Sequence, residues 1–354
     1  MESNGLKVQA GRTVYFDYLR VFATFGVIIL HISAQNWAVA DVNSTTWQVF
    51  NFSDSIMRWS VPAFVMISGA LFLNREVSLN DILSKYVLRM ALSFLAWSMV
   101  YVLLLHDEPL LNKRIAFLSG HYHMWFIPMI IGLYLCIPFI RLFTSSSFIV
   151  RYYLVLSLLF SFLIPELIVL GKDFGGEWIV AEVKAIQTSV SNMNMYLVMG
   201  YASYFVLGHC LNQTGLTRRQ RFLIYALGLL GFAMTIGLDL LVALKTQKSC
   251  SNYYGYITVN VLLESVAVFT WFNYHTFCHD KLNAIFRQLS KYSFGAYLIH
   301  PIIIEQLDQQ FGLNTLSFSH PSFAIIFLGI VVFAGAFFLS AILNHIPIIK
   351  DYIV

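Results

Sequence analysis

The chain has 354 residues, of which 58% are hydrophobic and 16% aromatic, while only 11% are charged. Soluble domains carry about 25% charged residues, so the composition excludes an ordinary soluble protein and predicts a polytopic membrane protein. The net charge of +4 does not predict a nucleic-acid partner, because membrane topology explains most of the basic residues. We expect a single membrane domain over residues 1–354, with the lipid bilayer as one of its partners.

Ten stretches are apolar and close to the roughly 20 residues that a bilayer core requires. With the N-terminus inside, fourteen of the 22 Lys and Arg residues lie in inner segments and six in outer ones. This bias follows the positive-inside rule, and an even number of spans places both termini in the cytoplasm. We therefore predict an all-α bundle of about ten transmembrane helices at 14–40, 48–73, 86–105, 123–143, 149–170, 194–212, 222–243, 253–278, 292–310 and 322–346.

The longest stretch between predicted spans is 171–193, GKDFGGEWIVAEVKAIQTSVSNM, on the outer side. Its length suggests a re-entrant or lid-like element and is too short for a domain. Any chemistry must therefore be built between the membrane helices. The four cysteines lack the spacing of metal ligands, and we expect no metal.

The first span, TVYFDYLRVFATFGVIILHIS (13–33), carries Asp17, Arg20 and His31. Ionisable side chains inside a membrane helix are costly and usually mark function. Asp17 and Arg20 are three residues apart and so are neighbours on one helix face. Arg20 and His31 are separated by about three turns and about 16 Å of rise, on nearly the same face. The alternative interpretation is a capped helix start followed by a buried structural histidine.

Basic residues in the next two spans are further candidates. Arg58 lies near the middle of the second span, where it needs an anionic ligand or a structural ion pair, and both readings stay open. Lys85 and Arg89, one turn apart at the inner end of the third span, could hold phosphates, although snorkelling to the interface explains them almost as well. Ser68 precedes a glycine in a pattern that suits close helix packing.

Histidines form a third group of candidates. His121 and His123 precede the fourth span, but residues two apart do not share a helix face, so a metal site is weakly supported. His123 could reach a central cavity, and Trp125 is either an interface anchor or a cavity residue. His300 should lie in mid-membrane in the ninth span. Three further carboxylates, Asp239, Glu264 and Glu305, could each be a cavity group or pair with Arg58.

The Arg-x10-His pattern of the first span resembles that of the acyltransferase-3 family. The likeness continues through VPAFVMISGALF (61–72), YHMWFIPMI (122–130), NMNMYLVMGYASYFVLG (192–208) and SKYSFGAYLIHP (290–301). It is similar in particular to the enterobacterial common antigen O-acetyltransferase type. Two positions depart from the family pattern: Val21 stands where a glycine is common, and Glu264 is not a family feature.

The resemblance implies transfer of an acyl group, usually acetyl, from cytoplasmic acyl-CoA to a hydroxyl of a cell-envelope glycan or lipid-linked sugar, in a bacterial cytoplasmic membrane. It assigns functional roles to Arg20 and His31. A histidine can act as a general base near neutral pH, and fixed cations can hold the diphosphate of acetyl-CoA. We expect Arg20, Lys85, Arg89 and Arg58 to bind the donor, and Asp17, Ser68, His123, Trp125 and His300 to line the acceptor site or cavity.

Other function classes fit the same composition. Ten spans with buried Arg, His and Glu side chains also suit a small-solute or amino-acid transporter. A third hypothesis is a membrane scaffold that catalyses no reaction. Binding of acyl-CoA separates the enzyme from both of these, whereas counterflow of a labelled solute in liposomes would favour the transporter.

Overall fold

The computed structural model describes residues 13–104, 109–195 and 200–354. The predicted inner segment 1–12, with Lys7 and Arg12, lies outside the described residues, as do parts of the third and sixth predicted spans (105 and 196–199). Within the described ranges the secondary structure is helical, without strands. The α-helices are α1 (Val14–Ala34), α2 (Thr45–Ser55), α3 (Ser60–Phe72), α4 (Leu79–Asp81), α5 (Leu88–Leu104), α6 (Leu110–Ser119), α7 (Phe126–Thr144), α8 (Ser147–Ser157), α9 (Ile164–Phe174), α10 (Glu177–Asn192), α11 (Ala202–Gln213), α12 (Arg218–Thr246), α13 (Val259–Tyr274), α14 (Asp280–Phe311), α15 (Pro321–Leu343) and α16 (Pro347–Tyr352).

Seven helical stretches within the described ranges are long and apolar enough to cross a membrane, and the fold is an all-α polytopic bundle. They are Val14–Ala34, Thr45–Phe72, Leu79–Leu104, Leu110–Thr144, Ser147–Phe174, Arg218–Thr246 and Pro321–Leu343. Each overlaps one predicted span. At 194–212, 253–278 and 292–310 the structure has α11, α13 and α14. The count of ten and the cytoplasmic termini stay predictions.

The second predicted span is not one continuous helix. It divides into α2 and α3, which are joined by a tight turn over residues 56–59. The physical reason is Pro62, which has no N–H to donate to the carbonyl of Arg58 four residues earlier. In the turn, the amide of Ser60 donates to the carbonyl of Met57, three residues earlier, at 3.0 Å. This break places Arg58 at a bend of the chain.

Helix α1 lies at the centre of the bundle. It packs against α2, α3, α13, α14 and α15, and most of its side chains are buried. Gly26 permits the close approach of α3, because a Cβ at that position would collide with Ser60. Where α3 meets α11, Gly69 and Gly208 lie against opposing main chains, as small residues do in membrane helix pairs.

Other helices expose apolar side chains to the surroundings. More than half of each side chain is exposed at Leu103, Phe139, Leu142, Phe222, Leu229, Ile330 and Phe338. Apolar exposure on this scale marks a surface in contact with lipid. The chain is therefore a multi-pass membrane protein.

The predicted lid-like stretch 171–193 contains a regular helix. Helix α9 continues to Phe174, and α10 then covers Glu177–Asn192 and packs back against α9. None of the residues of α10 is buried, so it lies on the surface of the bundle.

Candidate functional site

A cavity of about 300 Å³ lies beside α1, between α3, α5, α7 and α14. Its wall combines apolar side chains with cations, imidazoles and hydroxyls. The residues are Arg20, Val27, His31, Val61, Phe64, Ile67, Ser68, Arg89, Met90, His123, Trp125, Phe126, Ile130, Tyr134, Tyr256, Ser290, Ser293, Phe294 and Tyr297. A second cavity, of about 250 Å³ between α8, α11, α12 and α13, is almost entirely apolar.

The polar groups of the first cavity lie towards two ends, which are separated along the axis of α1. Arg20 lies at one end, where it is 3.5 Å from the hydroxyl of Ser290 on α14. His31 lies at the other end, beside His300 on the same α14. Because both side chains project from one unbroken helix, their spacing is about 16 Å along its axis. We call these the arginine end and the histidine end of the cavity.

At the arginine end, two guanidinium groups line the wall. Arg20 is 3.9 Å from the buried carboxylate of Asp17, at the predicted i,i+3 spacing. Arg89 donates from Nη2 to the main-chain oxygen of Val354 at 2.5 Å, and its buried Nε finds no partner among the described residues. Ser68 also lies in this wall, and its hydroxyl donates to the carbonyl of Phe64 at 2.9 Å. This end can hold an anionic group.

At the histidine end, His31 is bonded to a second imidazole. Its Nδ1 lies 2.7 Å from Nε2 of His300, and Nδ1 of His300 lies 2.6 Å from the carbonyl oxygen of Tyr297. In a regular helix that carbonyl would accept an N–H from residue 301, but Pro301 has none. The imidazole of His300 takes the place of the missing donor.

This arrangement determines which ring nitrogens carry protons. A carbonyl oxygen only accepts, so Nδ1 of His300 must carry its proton, and Nε2 of the neutral ring is left as an acceptor. Nδ1 of His31 must then be the donor to it. In the neutral state, Nε2 of His31 is therefore the free, basic nitrogen. That is the state a general base requires.

His123 and Trp125 lie at the same end. A 3₁₀ turn over Tyr122–Trp125 precedes α7 and directs both side chains into the wall. The ring of His123 is 2% exposed, and its Nδ1 lies 3.0 Å from Nδ1 of His121. Trp125 packs against Tyr256 with ring centroids 5.6 Å apart. Of the five predicted acceptor or cavity residues, Ser68, His123 and Trp125 thus line the cavity. Asp17 and His300 lie behind lining residues, in contact with Arg20 and His31 respectively.

Two predicted donor-binding residues do not line it. Arg58 forms an ion pair with Asp54 at 2.6 Å, donates to the carbonyl of Tyr254 at 3.2 Å and lies over the ring of that tyrosine. Lys85 pairs with Asp81 at 2.6 Å on the surface, where its side chain is 68% exposed. Their contact with a donor stays a prediction.

The carboxylates suggested as partners for Arg58 have other partners. Glu264 accepts from the hydroxyl of Thr235, and Glu305 pairs with His121 at 3.0 Å. Asp239 accepts from the amide of Tyr253 at 3.2 Å. The actual partner, Asp54, stands four residues before Arg58, a spacing that the sequence could have indicated.

Three contributors to the site were not identified from the sequence: Tyr297, Pro301 and the pairing of His121 with Glu305. The dipeptide His300-Pro301 could have indicated this, since a proline within a helix leaves the carbonyl four residues before it without its usual donor. In the described part of the chain, no three His, Cys, Asp or Glu side chains are grouped as metal ligands.

A family model described as an acyltransferase domain matches residues 13–343, nearly the whole chain. Searches among curated proteins and among solved structures found no match. The matched region contains all five helices that line the cavity, α1, α3, α5, α7 and α14. The chain therefore belongs to the acyltransferase-3 family and is a membrane-embedded acyltransferase.

Proposed function

We propose that this acyltransferase is an O-acetyltransferase of the bacterial cytoplasmic membrane, of the enterobacterial common antigen type. Its donor is cytoplasmic acetyl-CoA. Its acceptor is a hydroxyl of a cell-envelope glycan or of a lipid-linked saccharide. The observation that carries the proposal is one cavity that joins a pair of guanidinium groups to a free imidazole nitrogen about 16 Å away along α1.

The arginine end suits the diphosphate of the donor. Guanidinium groups bind phosphate oxygens through paired N–H donors, and Arg20 and Arg89 both line the wall there. The unpartnered Nε of Arg89 is a donor left for such a ligand. A pantetheine arm has the length to lead from this end to His31, so the thioester reaches the histidine end while the phosphates stay near the inner face.

The histidine end suits the transfer itself. Nε2 of His31 takes the proton of the acceptor hydroxyl as its oxygen attacks the thioester carbonyl carbon. The carbon–sulfur bond then breaks, and coenzyme A leaves as a thiolate that takes up a proton. His300 holds the ring of His31 through the 2.7 Å bond and supports the positive charge that develops on it.

The experiment is acetyl transfer in nanodiscs, with labelled acetyl-CoA as donor and the envelope glycan fraction of a deletion strain as acceptor. The variant His31→Gln keeps size and hydrogen bonding but cannot take up a proton. General-base assistance contributes about 10²- to 10⁴-fold in rate, so turnover should fall by that factor while the calorimetric Kd for coenzyme A stays unchanged. The control is His345→Gln, at an exposed histidine, which should keep full turnover.

Two results would contradict the proposal. One is a folded wild-type protein that neither binds coenzyme A nor consumes acetyl-CoA, particularly if it exchanges a labelled solute in liposomes. The other is near-wild-type turnover in folded His31→Gln, which would remove His31 from the chemistry.

A further inference from the structure

Arg89 joins the cavity to another part of the chain. The residue lines the arginine end, and its Nη2 donates to the main-chain oxygen of Val354 at 2.5 Å. Its Nε is buried and has no hydrogen-bond partner among the residues that the structure describes. One bond to the main chain therefore holds the guanidinium group, and further N–H donors are left for a ligand of the cavity.

The segment 352–354 is held by a row of side chains on α5. The last carbonyls of a helix have no partners within that helix, and α16 ends in this segment. Ser93 donates to the carbonyl of residue 352 at 3.1 Å, and Nε1 of Trp97 donates to the carbonyl of residue 353 at 3.2 Å. Arg89, Ser93 and Trp97 are spaced four residues apart and share one face of α5. That face supplies donors to three successive carbonyls.

An apolar contact seats the same segment. Val354 is 1% exposed and belongs to one buried apolar cluster with Val21, Trp97 and Ala296. A Cβ at Gly295 would lie only 3.2 Å from the Cβ of Val354, so the missing side chain leaves room for the segment. The segment is thus packed against α1, α5 and α14, which are three of the helices that line the cavity.

A bond to one neutral carbonyl does not satisfy a largely buried guanidinium group. Within the described ranges, no Asp or Glu side chain forms an ion pair with Arg89. Buried charges are normally paired, and the cavity that Arg89 lines is open to a ligand. A basic side chain that only caps the end of a helix has no need of such a cavity. The anionic partner of Arg89 is therefore expected from a ligand.

We propose that Ser93, Trp97 and the segment 352–354 are positioning elements of the donor site, which hold Arg89 ready for the diphosphate of coenzyme A. The proposal rests on the proposed function. An unrestrained arginine side chain samples many rotamers, and ordering it on binding lowers the affinity for a ligand. The bond to Val354 orders the guanidinium group when the protein folds, before the donor arrives.

The test is a set of variants compared by the calorimetric Kd for coenzyme A in nanodiscs. Ser93→Ala combined with Trp97→Phe removes two of the bonds that hold the segment, while neither residue is part of the cavity wall. This double variant should raise Kd by about 2- to 13-fold, as the loss of order in one flexible side chain does. Its kcat at saturating acetyl-CoA should stay unchanged.

The same pair of substitutions is then made in an Arg89→Ala background. Arg89→Ala alone should raise Kd by about 10- to 150-fold, because it removes charge-assisted hydrogen bonds to the donor. Adding Ser93→Ala and Trp97→Phe should raise Kd no further, since residues that act through one group are not additive. A purely structural role of the segment would give the same increase in both backgrounds.

Ser98→Ala is the matched control. Ser98 is a buried serine of the same helix, with 0% exposure, and its hydroxyl has no hydrogen-bond partner among the described residues. Its Kd and kcat should equal those of wild type. Val354→Gly loosens the segment from its apolar side and covers the case in which the double variant does not fold. It should give the same rise in Kd, and none in the Arg89→Ala background.

An unchanged Kd in the folded double variant, or in Val354→Gly, would overturn the proposal. So would an equal further rise in the Arg89→Ala background, because the loss would then not pass through Arg89. A wild-type protein that does not bind coenzyme A removes this inference and the proposed function together. Full turnover that depends on His31, with an unchanged Kd in all of these variants, removes only the positioning role.

Discussion

Replacing His300 tests the hydrogen bond that orients the base. In His300→Leu the side chain no longer accepts from Nδ1–H of His31, a bond of 2.7 Å in the native protein. A neutral hydrogen bond contributes about 0.5–1.5 kcal/mol and one to a charged group about 1.5–3 kcal/mol. His31 is neutral before the transfer and becomes an imidazolium during it. The transition state therefore loses about 1–1.5 kcal/mol more than the ground state, which lowers kcat by about 5- to 13-fold.

The matched control is His300→Gln, whose side-chain oxygen can accept the same proton and should restore kcat to within about threefold of wild type. Single-turnover transfer from labelled acetyl-CoA in nanodiscs measures this step apart from product release. Melting temperatures and the Kd for coenzyme A show whether each variant keeps its fold and donor site. Equal single-turnover rates in wild type and folded His300→Leu would refute the assigned proton arrangement.

Three further predictions follow from the same geometry. Arg20→Lys keeps the charge but loses the paired donors, so the calorimetric Kd for coenzyme A should rise. Arg20→Ala should raise this Kd by about 10- to 150-fold. An unchanged Kd in Arg20→Ala would leave Arg20 with a structural role beside Asp17 only. Pro301→Ala supplies an N–H that competes with His300 for the carbonyl of Tyr297. We therefore expect kcat to fall severalfold while the melting temperature stays the same or rises. A lower melting temperature with full activity would contradict this. Arg58→Gln leaves the carboxylate of Asp54 buried and unpaired, which should lower the free energy of unfolding by about 3–5 kcal/mol. Adding Asp54→Asn should recover most of this lost stability. No recovery in the double variant would argue against the ion pair as the cause.

The sequence by itself determined the class of protein and the geometry within single helices. Low charge and long apolar stretches follow directly from the bilayer as solvent. The spacing and shared face of Arg20 and His31 could be predicted because both residues lie on one helix, where the backbone hydrogen bonds determine rise and rotation per residue. The family motifs were readable for the same reason, since each lies within one segment.

Only the tertiary structure decided which residues from different helices share the site. His31 meets His300 from a position 269 residues away, and His121 meets Glu305 only where α14 passes the start of α7. Arg89 lines the cavity while Arg58 is held by Asp54, although both are basic residues of membrane helices. The physical reason is that helical periodicity determines the positions of side chains within one helix only. Which faces of two helices meet depends on the simultaneous packing of many side chains from both.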